Sequence, residues 1–92
     1  MAKVKRRASH EAGTREYAVK CGDKLVFEAW IYPNPEVGRG RRHKGHKSYC
    51  LQMYSKRNDI DEVMCNMDSY SDARERLLRE AREIECRRGE WK

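Results

Sequence analysis

Two runs of alternating side chains, joined by Gly22 and Asp23, constrain the fold of this chain more than any other feature. In Arg15–Cys21 and again in Lys24–Tyr32, apolar side chains recur at every second position, which is the period of a β-strand. A two-residue turn that begins with glycine, between two such runs, is typical of a β-hairpin. The sequence therefore predicts two antiparallel strands. One face of the second strand is expected to hold Leu25, Phe27, Ala29 and Ile31. The other face is expected to hold Val26, Glu28, Trp30 and Tyr32.

Two later segments are also candidates for strands. Ser48–Ser55 alternates in the same way and predicts a third strand. Ile60–Asp68 fits two periods, because its apolar residues suit both an alternating strand and one stripe of a helix. A short fourth strand is favoured there, since the start of a helix is indicated immediately afterwards.

The most regular pattern begins at Ser69. A serine followed three residues later by an acid, here Asp72, is typical of a helix N-terminus, where side chains bond to backbone N–H groups that have no partner within the helix. Apolar residues then recur at intervals of three and four, which predicts an apolar stripe on a helix of about five turns that ends before Gly89. The opposite face holds acids and arginines four residues apart, as on a solvated helix surface.

The order of these elements predicts an α+β fold, with a three- or four-stranded antiparallel sheet and one C-terminal amphipathic helix packed on one face. Residues 15–92 are expected to form a single domain with a long basic loop at 33–47. Residues 1–14 show no period and are expected to form a flexible basic N-terminal arm. A chain of 92 residues buries only a small core, so a homodimer is one way to cover it. The expected core consists of Val19, Leu25, Phe27, Ile31, Leu51, Met53, Tyr70, Leu77, Ala81 and Ile84.

The segment Gly38–Lys47 contains nearly all of the net charge. The whole chain has 21 Lys and Arg against 15 Asp and Glu, a formal charge of +6. These ten residues include five of the basic side chains, two histidines and three glycines, and without them the charge would be +1. Charge this concentrated, on a backbone that glycine allows to approach closely, is suited to binding an anion.

Nucleic acid is the first partner that this segment suggests. Lysine and arginine neutralise phosphates, and arginine, the commoner of the two here, can contact phosphate or guanine through two N–H groups. Aromatic residues on the neighbouring strands can stack on unpaired bases. The first hypothesis is therefore a small non-catalytic protein that binds nucleic acid, mainly through phosphates and with little sequence specificity. The expected binding residues are Arg39, Arg41, Arg42, His43, Lys44, His46 and Lys47 in the loop, Lys5, Arg6 and Arg7 in the arm, and Trp30, Tyr32 and Tyr49 on the strands.

A protein partner is the alternative. An arginine-rich loop can equally dock onto an acidic protein surface or into the nucleic-acid channel of a larger complex. In size, charge and layout the chain resembles the small accessory proteins that bacteriophages encode, including inhibitors of host defence nucleases such as anti-CRISPR proteins. This resemblance implies a stoichiometric inhibitor that binds and occludes a nucleic-acid-processing or defence complex of the host.

Metal and catalytic sites are only weakly indicated. His43, His46 and Cys50 lie within eight residues, and Cys21 could complete a tetrahedral zinc site across the hairpin, but no Cys-x-x-Cys pair accompanies them. The histidines are more consistent with further cationic or hydrogen-bonding groups, so no metal or cofactor is expected. The sequence also contains none of the common hydrolase, phosphate-loop or metalloprotease motifs, and it predicts a protein that is not an enzyme.

The N-terminus is basic but is not followed by an apolar stretch long enough for a signal peptide or a membrane span. The expectation is a cytoplasmic protein of a bacterium, or of the infected host cell if a phage encodes it, with no membrane partner. Cytoplasmic thiols usually stay reduced. The four cysteines are accordingly expected to be free thiols: Cys21, Cys50, Cys65 and Cys86. Three of them lie inside apolar runs, where cysteine packs like a small apolar residue.

Overall fold

The computed structural model describes residues 2–9, 11–34 and 49–86 of the chain. In these residues, five strands form one antiparallel sheet in which each strand pairs with the next along the chain, and a helix follows the last strand. The predicted α+β class is confirmed, with one strand more than the three or four expected. The elements are β1 (Lys3–Arg7), β2 (Arg15–Cys21), β3 (Lys24–Pro33), β4 (Tyr49–Ser55), β5 (Ile60–Met67) and α1 (Tyr70–Arg82).

The additional strand is β1, which lies in the segment assigned to a flexible arm. It pairs with β2 so that Val4 is opposite Val19. Val4 is the only apolar residue of Lys3–Arg7, so no alternation indicated a strand, but backbone pairing does not depend on apolar side chains. Ala2 is buried and Val4 packs against the core. Because β1 is an edge strand, its lysines also discourage pairing with the sheets of other chains.

An irregularity between β2 and β3 changes which residues of β3 reach the core. Val19 pairs with Phe27, but Lys20 pairs with Leu25, so Val26 is the extra residue of a bulge. Val26 is 0% exposed, whereas Leu25 is only half-buried. The prediction of Leu25 as a core residue is therefore wrong, because the bulge shifts the alternation by one position.

The helix α1 covers one face of the sheet and closes the core. The Ser69 hydroxyl accepts a hydrogen bond from the backbone N–H of Asp72 at 3.1 Å, as the capping pattern predicts. Tyr70 and Ile84, both predicted as core residues, are half-buried and pack against the core. Tyr70 is the first residue of α1, and Ile84 follows its last residue by two positions. The predicted core residues that are buried are Val19, Phe27, Ile31, Leu51, Met53, Leu77 and Ala81.

The helix is shorter than the pattern predicts, since it ends at Arg82. The N–H of Glu83 bonds to the carbonyls of Arg79 and Glu80, and that of Ile84 bonds to Ala81, which tightens the last turn. The chain then leaves the helical path toward the sheet. In the part of the chain that the structure describes, no helix is long and apolar enough to cross a membrane.

All four cysteines are paired, so the prediction of free thiols is wrong. Cys21 at the end of β2 is bonded to Cys86, with a Cα–Cα distance of 5.3 Å, because α1 runs back across the sheet toward the β2–β3 turn. Cys50 on β4 is bonded to Cys65 on β5, with a Cα–Cα distance of 4.0 Å. Sequence spacing alone cannot show such pairings, which depend on how the strands and the helix are arranged.

Candidate functional site

The face of the sheet opposite α1 is open in the part of the chain that the structure describes. Strand pairing places Arg7, Glu16, Trp30, Gln52 and Val63 in one line across all five strands on this face. Val63 is 52% exposed, and Tyr54, on the same face, is 39% exposed. We call this surface the open face. Its centre therefore combines aromatic rings with charged and amide groups.

Glu16 holds both Trp30 and Arg7 in place on the open face. The Trp30 Nε1–H donates to Glu16 Oε1 at 3.0 Å, and Arg7 lies 3.5 Å from Glu16 Oε2. Arg7 also donates to Glu28 Oε2 at 2.6 Å. These side chains are partly exposed, so each ion pair contributes at most about 1 kcal/mol to folding. Their main effect is to restrict the orientation of the indole ring.

A pocket of about 470 Å³ lies beside Trp30, and we call it the aromatic pocket. Its sheet side is formed by Trp30, Tyr32, Glu16 and Gln52. The other side is formed by the β1–β2 connection, through Ser9, Glu11 and Thr14. The pocket thus has aromatic walls together with hydroxyl, amide and carboxylate groups that can hydrogen-bond to a ligand.

The β1–β2 connection is held by hydrogen bonds of its own. The backbone N–H of Glu11 donates to the Ser9 hydroxyl at 3.3 Å, and the N–H of Thr14 donates to the carbonyl of Glu11 at 3.2 Å. Gly13 has a φ of +83°, a conformation that glycine adopts without strain. The hydroxyl of Tyr70, from the start of α1, donates to the Gly13 carbonyl. The rim of the aromatic pocket is therefore tied to the helix.

A second pocket, of about 430 Å³, lies where β1 ends and β2 begins, and we call it the arginine pocket. Its charged lining is Arg6, Arg7 and Arg15, and it shares Ser9 and Thr14 with the aromatic pocket. Arg6 and Arg15 are in register with the core residues Tyr17 and Ile31, so they lie on the helix side of this end of the sheet. Among the described residues, neither Arg6 nor Arg15 has a carboxylate within 4 Å. Two cations without an internal counter-ion are suited to binding an anion such as phosphate. The hydroxyl groups of Ser9 and Thr14 donate to Glu11 and are not part of this anion site.

Aromatic packing holds Arg15 at this pocket. Its guanidinium carbon lies 4.2 Å from the centre of the Tyr70 ring, within the range of a cation–π interaction. The Tyr70 ring in turn contacts Tyr49, with 4.4 Å between the ring centres. Arg15 is therefore positioned by neutral partners, so its charge remains available to a ligand.

The residues predicted from the sequence as binding residues fall into four groups. Lys5, Arg6 and Arg7 lie on β1, and Trp30 and Tyr32 line the aromatic pocket. Tyr49 lies on the helix side of the sheet, half-buried against Tyr70, and does not face the aromatic pocket. The remaining predicted residues lie outside the described residues: Arg39, Arg41, Arg42, His43, Lys44, His46 and Lys47.

Seven residues that line the two pockets were not predicted as binding residues. The alternation of Ser48–Ser55 puts Gln52 on the face opposite Leu51, but only the strand register shows that it is next to Trp30. Arg15 was taken as the first residue of a strand, and its contact with Tyr70 depends on the fold. Glu16 was likewise taken only as a strand residue. The other four belong to the segment expected to be a flexible arm: Ala8, Ser9, Glu11 and Thr14.

The described residues contain no group of three or more His, Cys, Asp or Glu side chains that could hold a metal ion. Cys21 and Cys50, two of the ligands considered for zinc, are both in disulfides and so are not available as thiolates. His43 and His46, the other two, lie outside the described residues.

The chain matches no protein-family model, no curated protein and no solved structure. Its function has to be inferred from its own residues. The chemical feature on which that inference depends is the adjacency of an aromatic pocket and an arginine pocket at one end of the sheet.

Proposed function

We propose that this chain is a non-catalytic protein that binds nucleic acid, mainly through phosphates. The cations assigned to this role are Arg6 and Arg15 at the arginine pocket, Lys5 on β1, and the basic residues of the 39–47 segment. Phosphate contacts of this kind give affinity that depends on salt and little on sequence.

The observation that supports the proposal best is the presence of Arg6 and Arg15 in one pocket, without a carboxylate within 4 Å among the described residues. Arg76, by contrast, is paired with Glu80 at 2.9 Å. Two unneutralised guanidinium groups in one pocket favour an external anion.

The position of this pocket also connects it with the basic segment of the sequence. Arg15 pairs with Ile31 on β3, and Pro33, two residues further along, pairs with Tyr49 on β4. Two residues of a strand span about 7 Å. The chain therefore leaves β3 for the basic segment, and returns to β4, close to Arg15. One polyanion could contact both sets of cations.

Fluorescence anisotropy of labelled single- and double-stranded oligonucleotides, at low and near-physiological salt, tests the proposal. The wild type would be compared with a variant carrying Arg39→Ala, Arg41→Ala, Arg42→Ala and Lys44→Ala, after circular dichroism has shown that the variant is folded. We expect wild-type binding that persists near physiological salt, weakens as salt is raised, and falls at least 10-fold in the variant.

A wild type that binds neither oligonucleotide near physiological salt would overturn the proposal. The alternative, a stoichiometric inhibitor of a host nucleic-acid-processing complex that resembles anti-CRISPR proteins, would then be tested by looking for a 1:1 complex with one large partner from host cells.

A further inference from the structure

We infer that the aromatic pocket and the arginine pocket form one site for an unpaired nucleotide, with the base in the first and its phosphate in the second. This inference rests on the proposed function and narrows it, because it names single-stranded nucleic acid as the ligand. It is based on the described residues alone.

The two pockets share part of their lining and each has the size of a ligand site. They measure about 470 and 430 Å³ and share Ser9 and Thr14 at their boundary. Sites for small organic ligands usually have volumes of about 300–1,000 Å³. A nucleotide has one flat aromatic part and one anionic part joined by a sugar, and the linings differ in the same way. Aromatic rings line one pocket and arginines the other.

The aromatic pocket is suited to stacking on a base. Trp30 and Tyr32 are two residues apart on β3, and both line the pocket. Side chains on one face of a strand follow each other at about 7 Å. A base stacks on an aromatic ring at a van der Waals distance of about 3.5 Å, so one base in the pocket is within reach of both rings. The hydrogen bond from Trp30 to Glu16 orients the indole before any ligand arrives.

The polar groups of the aromatic pocket favour a base that presents N–H donors. Glu11 and Glu16 both contribute carboxylates to the lining, and Gln52 contributes an amide. Each oxygen of Glu16 has one partner, Trp30 or Arg7, and a carboxylate oxygen has a second lone pair to offer. Guanine presents two adjacent donors, N1–H and the N2 amino group, on its Watson–Crick edge. Thymine and uracil present one donor between two carbonyls, which carboxylates would repel, so guanine is the preferred base.

A base in a duplex cannot occupy this site. The pocket lies between the sheet and the β1–β2 connection, so the base must have left its stack and its partner to enter. Removing an aromatic side chain that stacks on one base commonly weakens binding about 10-fold to 100-fold. The same range is expected for Tyr32→Ala.

The test uses nine-residue DNA strands of thymine, with or without one central guanine, and a matching duplex. Anisotropy would be measured for the wild type, for Tyr32→Ala and for Tyr54→Ala. Tyr54 is the matched control, because it is a tyrosine on the same open face that does not line the pocket. We expect the guanine strand to bind at least five-fold more tightly than the thymine strand or the duplex. Tyr32→Ala should lose about 10-fold or more, and Tyr54→Ala less than two-fold.

A second readout does not require a change in the pocket. The chain has two tryptophans, so Trp91→Phe leaves Trp30 as the only indole. Stacking on the base should quench Trp30 fluorescence with the guanine strand and not with inorganic phosphate.

Two outcomes would overturn the inference, and they differ in what they mean for the proposed function. Equal binding of strand and duplex, unaffected by Tyr32→Ala and without quenching of Trp30, would leave phosphate binding in place and eliminate the nucleotide site. Absence of binding to every oligonucleotide would eliminate both and would direct attention to a protein partner.

Discussion

Trp30 donates its indole N–H to Glu16 at 3.0 Å, across the pair formed by β2 and β3. The two residues are direct cross-strand neighbours on the open face. Glu16 therefore does more than pair with Arg7, since it also fixes the orientation of the largest ring in the aromatic pocket. The open face is structured at this point before any ligand binds.

Substitutions at Glu16 separate the role of its oxygen from the role of its charge. Glu16→Gln keeps an acceptor for Trp30, so we expect unfolding free energy to fall by less than about 0.5 kcal/mol. Glu16→Val leaves the indole N–H without this acceptor and should cost about 1 kcal/mol. Urea unfolding, followed by Trp30 fluorescence in the Trp91→Phe background, measures both. Equal losses in the two variants would show that the hydrogen bond does not hold Trp30.

The bulge in β3 predicts that Val26 contributes more to stability than Leu25, whereas simple alternation predicts the reverse. Val26 is 0% exposed, and Leu25 is half-buried. Val26→Ala removes fully buried methyl groups and should lower the unfolding free energy by about 1–3 kcal/mol. Leu25→Ala removes a larger group but should cost less than Val26→Ala. Chemical denaturation of the two variants decides between them, and a larger loss for Leu25→Ala would mean that the strand has no bulge.

The packing of α1 can be tested by two adjacent leucines. Leu77 is 0% exposed, and Leu78 is half-buried beside it. Leu77→Ala should cost about 2–5 kcal/mol, because it leaves a cavity between the helix and the sheet. Leu78→Ala, with the same chemical change, should cost clearly less. Similar losses at the two positions would contradict the orientation of the helix.

The disulfides should contribute a large part of the stability of this small domain. The Cys21–Cys86 bridge has a sequence separation of 65 and Cys50–Cys65 one of 15. Loop-closure entropy then predicts about 4 kcal/mol for the first and about 3 kcal/mol for the second. Cys21→Ala with Cys86→Ala should therefore lower Tm more than Cys50→Ala with Cys65→Ala does, and dithiothreitol should lower the Tm of the wild type.

Titration of thiols in the unfolded, unreduced protein is the direct check on these bridges. We expect no reactive thiol, and four reactive thiols would contradict both bridges. Disulfides persist mainly in oxidising compartments. The cytoplasmic location expected from the sequence therefore stays a prediction, which the state of the cysteines in cells would test.

The sequence predicts the fold class well, because periodicity and end signals are local. The Gly22 and Asp23 turn joins two strands as expected, and Ser69 caps the helix as expected. Leu25 and the strand β1 show where local patterns fail. A bulge shifts an alternation without changing the sequence pattern, and an edge strand can form through backbone pairing alone.

The candidate site could be predicted only in part, because it depends on register and on contacts between distant segments. Trp30 and Tyr32 were expected as binding residues from their positions beside the basic segment. Gln52 reaches the same pocket only because β4 pairs with β3 in one register. Arg15 is held by Tyr70, which is 55 positions later in the sequence, and no spacing rule connects the two.

The most direct test of nucleic-acid binding compares two double variants with the same change of charge. The pocket variant carries Arg6→Gln and Arg15→Gln and alters the arginine pocket. The turn variant carries Lys56→Gln and Arg57→Gln. It removes two exposed cations from the turn between β4 and β5, at the opposite end of the sheet. The measurement is the affinity for a labelled single strand at several salt concentrations. We expect the pocket variant to lose affinity and to reduce the slope of log K against log salt by about 1.4, or about 0.7 for each lost phosphate contact. The turn variant should keep the wild-type slope. Equal slopes for the two variants would contradict the assignment of the arginine pocket as a phosphate site.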